Sequence, residues 1–171
     1  YLGQQVYAAA NQVLNKSIVT PMVPVLSIFH KAEDRAGFLR LYRSKLTQIG
    51  LISVLGLAAW GLFGRALLGA VVPDGRFSSQ DMETLWWIMV WLGGAFLGSS
   101  MGQISSSSLF ASGDTATPTR LSIYTFTVYV PAKIFMFYVY GIAGLAVATG
   151  LFFIVNLLLQ DYCIRARYRV G

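Results

Sequence analysis

Residues 134–160 read IFMFYVYGIAGLAVATGLFFIVNLLLQ, and no charged side chain interrupts the chain from Lys133 to Asp161. A helix needs about 20 predominantly apolar residues to cross roughly 30 Å of hydrocarbon. This stretch is long enough, and Tyr140-Gly141 inside it marks an uncharged turn between the end of one span and the start of the next. Two further uncharged runs, from Lys45 to Arg65 and from Glu83 to Asp114, meet the same length criterion. The fold class that follows is all-α: a polytopic transmembrane helix bundle.

Composition agrees. Of 171 residues, 56% are hydrophobic, 14% aromatic and only 12% charged. Soluble domains carry about 25% charged residues. Disorder is excluded, because too much apolar surface seeks burial. A disulfide scaffold is excluded by the single Cys163.

Working outward, five spans are expected, at 7–29, 46–71, 85–110, 121–140 and 142–164, with a basic loop over 30–45. Together they make residues 1–171 a partial transmembrane bundle. The first span is the most polar, holding Asn11, Gln12, Asn15, Lys16 and Thr20, with Pro21 and Pro24 near its end. The fourth contains Pro131 and Lys133.

The net charge is +6. In a soluble protein this would suggest nucleic acid; here the location of the charges decides otherwise, and no nucleic-acid partner is expected. Lys31, Arg35, Arg40, Arg43, Lys45, Arg120, Arg165, Arg167 and Arg169 fall between spans on one side, whereas Arg65 and Arg76 fall on the other. The positive-inside rule places the first side in the cytoplasm. The N-terminus is then outside and the C-terminus in the cytoplasm. The chain opens on Tyr1 with no leader, so an upstream span is expected to be missing. Residues 35–46, RAGFLRLYRSKL, suit either a short helix on the cytoplasmic lipid surface or a basic solvated loop. Both attract anionic lipid headgroups.

Gly94, Gly98 and Gly102 recur every fourth residue. Such a stripe lets a neighbouring helix backbone approach closely. Packing within the bundle is the first reading and a homodimer face the second; Gly144 and Ala148 repeat the pattern. Gln103 and Ser105 to Ser108 form a polar tract, read either as serines bonded back to their own helix or as a cavity wall. Lys16 and Lys133 are costly, since a lysine near the bilayer centre costs about 2.5–3.5 kcal/mol on insertion scales. Either they snorkel, or their ammonium groups face a water-filled cavity and attract an anionic headgroup. Gln12, Asn15 and Lys16 share one helical face, which supports the cavity reading. In the turn at 113–118, Gly113 suits a helix C-cap, and Thr117 can cap the next helix with Pro118 at its first position.

The sequence offers no catalytic constellation. His30 is the sole histidine, no carboxylate pair lies inside a span, and no phosphate-cradling loop occurs. Neither enzymatic activity, a cofactor nor a His/Cys metal site is expected.

Five stretches carry a family resemblance: Pro24–Ser27 (PVLS), Phe38–Arg43 (FLRLYR), Gly75–Asp81 (GRFSSQD), Ala111–Pro118 (ASGDTATP) and Tyr140–Thr149 (YGIAGLAVAT). In this order and spacing the chain resembles the MviN/MurJ lipid II flippases of the multidrug/oligosaccharidyl-lipid/polysaccharide exporter superfamily. The resemblance implies two helical bundles around a central cavity, with alternating access carrying a lipid-linked saccharide across the bacterial cytoplasmic membrane. This chain would supply five helices of the second bundle. Its implied partners are a lipid-linked anionic substrate, membrane lipids and the remainder of the transporter. Family members carry an arginine near the start of the helix matching the first span, a position that falls at about Gln5 here. The resemblance adds Gln5 to the substrate-cavity candidates read from the spans themselves, Lys16, Asn15, Gln12 and Lys133. The alternatives are a cation-coupled drug exporter of the same superfamily or a non-transporting membrane scaffold.

Overall fold

A computed structural model describes residues 8–9, 11–71 and 79–169. The elements among them are all helical. Helix α1, Asn11–Lys31, contains a π-helical segment at Asn15–Val19 before Thr20–Lys31. Helix α2 is Arg35–Val71 and α3 is Ser79–Ala111. The last helical stretch, Ala116–Arg169, breaks at Gly141, where φ is 60° and ψ is −140°. Its arms, 116–140 and 142–169, are α4 and α5.

Glycine tolerates that left-handed turn because it has no Cβ. The next requirement falls on Gly144, where an added Cβ would collide with the Met136 carbonyl. The first turn of α5 thus lies directly against the end of α4, making a tight antiparallel hairpin. Asn11–Lys31, Arg35–Ala66 and Ala116–Tyr168 are each long and apolar enough to cross a membrane.

The expected loop over 30–45 is largely helix. Only Ala32 to Asp34 separate α1 from α2, and Asp34 Oδ1 caps the new helix by accepting from the Gly37 N–H at 2.8 Å. The reason is tertiary. Phe38 and Tyr42 are fully buried, joining Val19, Met22, Leu26, Ile49, Ile104, Leu109 and Ile164 in one core. The amphipathic face of 35–46 therefore turns into the bundle and not onto a lipid surface.

Helix α3 runs through the middle and contacts α1, α2 and the α4–α5 hairpin. The core lies toward the end where α1 finishes, α2 begins, α3 turns into α4, and α5 ends. Contacts tie these termini together. Ser27 Oγ donates to the Ala111 carbonyl at 3.2 Å. Tyr168 stacks on Phe38, with centroids 4.3 Å apart, and its hydroxyl lies 3.1 Å from His30 Nδ1. This basic end is cross-braced. At the opposite end, Arg65 lies over the Trp86 ring at 4.4 Å and pairs with Glu83 at 3.2 Å.

Candidate functional site

The small residues of α3 decide where it meets α5 and where it leaves it. A Cβ added to Gly94 would lie 3.7 Å from Gly150 Cα. On Gly98 it would fall 2.7 Å from the Phe153 backbone carbon and 2.8 Å from the Ile154 nitrogen. The two helices touch backbone to backbone here, which only small side chains permit. On Gly102 an added Cβ would meet nothing within 4 Å. The helices have parted by that point, and a cleft of about 320 Å³ opens between α1, α3 and α5. Gly94 and Gly98 are thus packing positions within the bundle, whereas Gly102 lines open space.

Polar groups line the cleft: Asn15 from α1, Ser99, Gln103, Ser106 and Ser107 from α3, and Asn156 from α5. Several are held in place by hydrogen bonds. Ser106 Oγ donates to Gln160 Oε1 at 2.7 Å, and Gln160 Nε2 donates to Asn156 Oδ1 at 3.2 Å. Asn11 fastens the upper part of α1 to α3, donating from Nδ2 to Ser99 Oγ at 3.0 Å and accepting from Ser100 Oγ.

Both readings of the serine tract apply, to different residues. Ser105 and Ser108 are fully buried. Ser108 bonds back to the Ile104 carbonyl at 2.8 Å. Ser105 lies 3.0 Å from the Tyr42 hydroxyl, which donates to Asp161 Oδ1 at 2.9 Å. Asp161 in turn holds Arg165 at 2.8 Å. Ser106 and Ser107 face the cleft.

Of the expected cavity residues, Asn15 lines the cleft. Gln12 and Lys16 are exposed and do not line the cleft, although Lys16 directly follows Asn15 in the chain. Gln5 lies outside the described residues. Lys133 is half-buried on α4, with Nζ 5.1 Å from the Tyr129 ring centre. The side chain leans toward the start of its helix, as helical side chains do. Its ammonium therefore points away from Gly141, the nearer end of α4. Lys133 sits in a groove of about 540 Å³ with Phe126, Tyr129 and Leu145. Between this groove and the polar cleft lies a third hollow of about 520 Å³. It shares Ser106 and Phe110 with the cleft and Phe126 with the groove, so the three hollows adjoin one another as a furrow.

The turn at 113–118 is built as a Schellman motif. Gly113 has φ 77°, its N–H reaches the Phe110 carbonyl at 3.0 Å, and the Asp114 N–H reaches the Leu109 carbonyl at 3.0 Å. The cap of α4 is Asp114, and not Thr117 as the sequence suggests. Asp114 Oδ1 accepts from the Thr117 N–H at 2.9 Å, and Oδ2 accepts from the Thr117 hydroxyl at 2.7 Å. The helix begins at Ala116, which puts Pro118 inside its first turn. Arg167 closes on Asp114 Oδ2 at 2.6 Å. Thr117's two donors, with help from Arg167, hold the Asp114 carboxyl below its ordinary value.

Asn156 and Gln160 are not among the residues singled out from the sequence, and Tyr42 is read there only as part of an apolar face. Asn156 and Gln160 stand one helical turn apart in an otherwise apolar run, and that spacing was the available signal. Among the described residues, no group of three His, Cys, Asp or Glu side chains gathers as a metal site would require.

A family model described as Lipid II flippase MurJ matches residues 1–171. No curated protein matches the chain.

Proposed function

The chain belongs to the lipid II flippase MurJ family, and from that membership we propose that it forms part of a transporter moving a lipid-linked saccharide across the bacterial inner membrane by alternating access. The observation that carries this reading is the polar cleft lined by Asn15, the residue before Lys16. Asn15, Gln103, Ser106 and Asn156 converge there from three helices within a predominantly apolar bundle. A saccharide headgroup presents hydroxyl groups that need hydrogen-bond partners wherever they leave water. Amides and serines supply both donors and acceptors.

The substrate's diphosphate needs a cation. Lys16, next to Asn15 in the chain, and Lys133 along the furrow are the two cations that supply it. A lysine ammonium is a compact point charge and holds phosphate without demanding bidentate geometry. In this reading the chain's first described helix starts at the outer face, its basic end lies in the cytoplasm, and the remainder of the transporter closes the furrow from the other side.

The test is headgroup accessibility in vesicles or cells carrying the complete transporter. Lys16→Ala should slow lipid II flipping while expression and thermal stability stay near wild type. Lys16→Arg should restore part of the rate. Full transport by Lys16→Ala would assign Lys16 to snorkelling and remove it from the substrate path.

A further inference from the structure

Helix α1 does not keep a regular hydrogen-bond ladder through its polar stretch. At Asn15–Val19 it is π-helical, and the Thr20 N–H donates to the Asn15 carbonyl, five residues back. The Thr20 hydroxyl reaches the same oxygen at 3.2 Å. Two prolines follow. Pro21 has no N–H, so the Ser17 carbonyl loses the donor four residues ahead. For the Lys16 carbonyl, the Thr20 N–H four ahead is drawn to Asn15, and the residue five ahead is Pro21. Pro24 removes the donor four residues ahead of the Thr20 carbonyl in the same way.

Lys16, Ser17, Thr20, Pro21 and Pro24 are all exposed, whereas Val19, Met22 and Leu26 on the other side of α1 are buried. One side of the helix thus combines the Ser17 and Thr20 carbonyls, each with a proline four residues ahead, with the Lys16 ammonium. Lys16 has no ion-pair partner among the described residues. Backbone acceptors left open at membrane depth are tolerated only where protein covers them or water reaches them. π-Segments of this kind also concentrate at functional sites.

We propose that this break in α1 is a saccharide-reading site. The carbonyls of Lys16, Ser17 and Thr20 accept hydrogen bonds from sugar hydroxyl or amide groups while the Lys16 ammonium holds the adjoining diphosphate. The inference rests on the transport reading for the identity of its ligand and adds the groups that tell a glycosylated lipid from a bare one. A fixed acceptor discriminates well, because a ligand lacking the matching donor leaves it unpaired.

The experiment measures equilibrium binding to the complete transporter, using two probes: lipid II and a polyprenyl diphosphate without sugar. Pro21→Ala returns an N–H to the helix and occupies the Ser17 carbonyl. Affinity for lipid II should fall about three- to tenfold, the value of one or two hydrogen bonds, and affinity for the bare diphosphate should not change. Pro24→Ala, acting on Thr20, should give the same pattern. Lys16→Gln should weaken both ligands. Removing a proline from a helix interior favours folding, so a loss of binding cannot be ascribed to collapse of α1.

Unchanged lipid II affinity in both proline variants overturns the site. So does an equal loss for the two lipids, or a flipping defect without a binding defect, which would make the break a hinge. Flipping is measured separately. A wild-type protein that shows this sugar-dependent binding but moves no lipid would defeat the transport reading and leave the site standing.

Discussion

The ring of Tyr168, in the last turn of α5, lies nearly parallel to that of Phe38, in the first turns of α2, with centroids 4.3 Å apart and planes 15° from each other. Residues far apart in the chain thus meet at the basic end, where Phe38 is fully buried. Aromatic pairs contribute about 0.5–1.5 kcal/mol beyond their buried area. Tyr168→Leu should therefore lower the melting temperature in detergent. A double-mutant cycle with Phe38→Leu should return a coupling of about that size. Additive effects would show that the stack carries no energy of its own.

Gly98 and Gly102 make a matched pair of positions with opposite expectations. Leucine at 98 must displace the Phe153 backbone, so Gly98→Leu should reduce folded yield and thermal stability, with a cost of at least about 1–3 kcal/mol for overpacking. Leucine at 102 enters open cleft. Gly102→Leu should keep near-normal stability and slow transport by filling the space between α3 and α5. Equal melting temperatures for both variants would refute the description of where α3 and α5 part.

Asp114 links the α3–α4 turn to the end of α5, and its carboxyl is held below the ordinary aspartate value by Thr117 and Arg167. A depressed folded-state pKa means that the carboxylate stabilises the fold at all pH values above the unfolded pKa. That stability drains away as pH falls through the folded value. Thermal stability should thus be flat near neutrality and drop on strong acidification. Asp114→Asn should lower the neutral plateau and flatten the acid limb. An unchanged acid limb in that variant would show that other carboxylates govern it.

Orientation is testable by labelling. Ser44 is exposed among the basic residues of α2, and Tyr140 is exposed beside the α4–α5 turn. With cysteine at either position in an otherwise cysteine-free protein, an impermeant reagent added to intact cells should modify Tyr140→Cys and spare Ser44→Cys. The reverse pattern would invert the proposed topology.

Much of this architecture is legible in the chain because hydrocarbon thickness imposes a length and uncharged runs reveal it. The turn at Gly141 was readable from a chargeless Tyr-Gly inside a long apolar run. The start of α2 is legible as a possible helix but not in its placement, because the alternation of Phe38, Leu41, Tyr42 and Leu46 with arginines describes an apolar face without naming what it faces. Lipid surface and bundle interior demand the same pattern, and only the positions of Ile164 and Tyr168 decide between them. The cap at Asp114 was missed for a similar reason: aspartate and threonine are both good caps, and the register of α4 selects one. The π-segment leaves little local trace beyond Pro21 and Pro24. The polar cleft was half visible, since the amides of α1 stand out, whereas Asn156 and Gln160 are diluted among leucines and acquire meaning only opposite Ser106.

The hairpin at Gly141 bears on how the protein is made. Helices α4 and α5 leave their turn with no charged residue between Lys133 and Asp161. In the proposed orientation this turn is the part that must travel through the bilayer during synthesis. It takes no ionised side chain with it except Lys133, which is folded back over Tyr129. The two arms can therefore enter together as a preformed pair, their antiparallel contacts already in place, with the insertion cost confined to a single ammonium group.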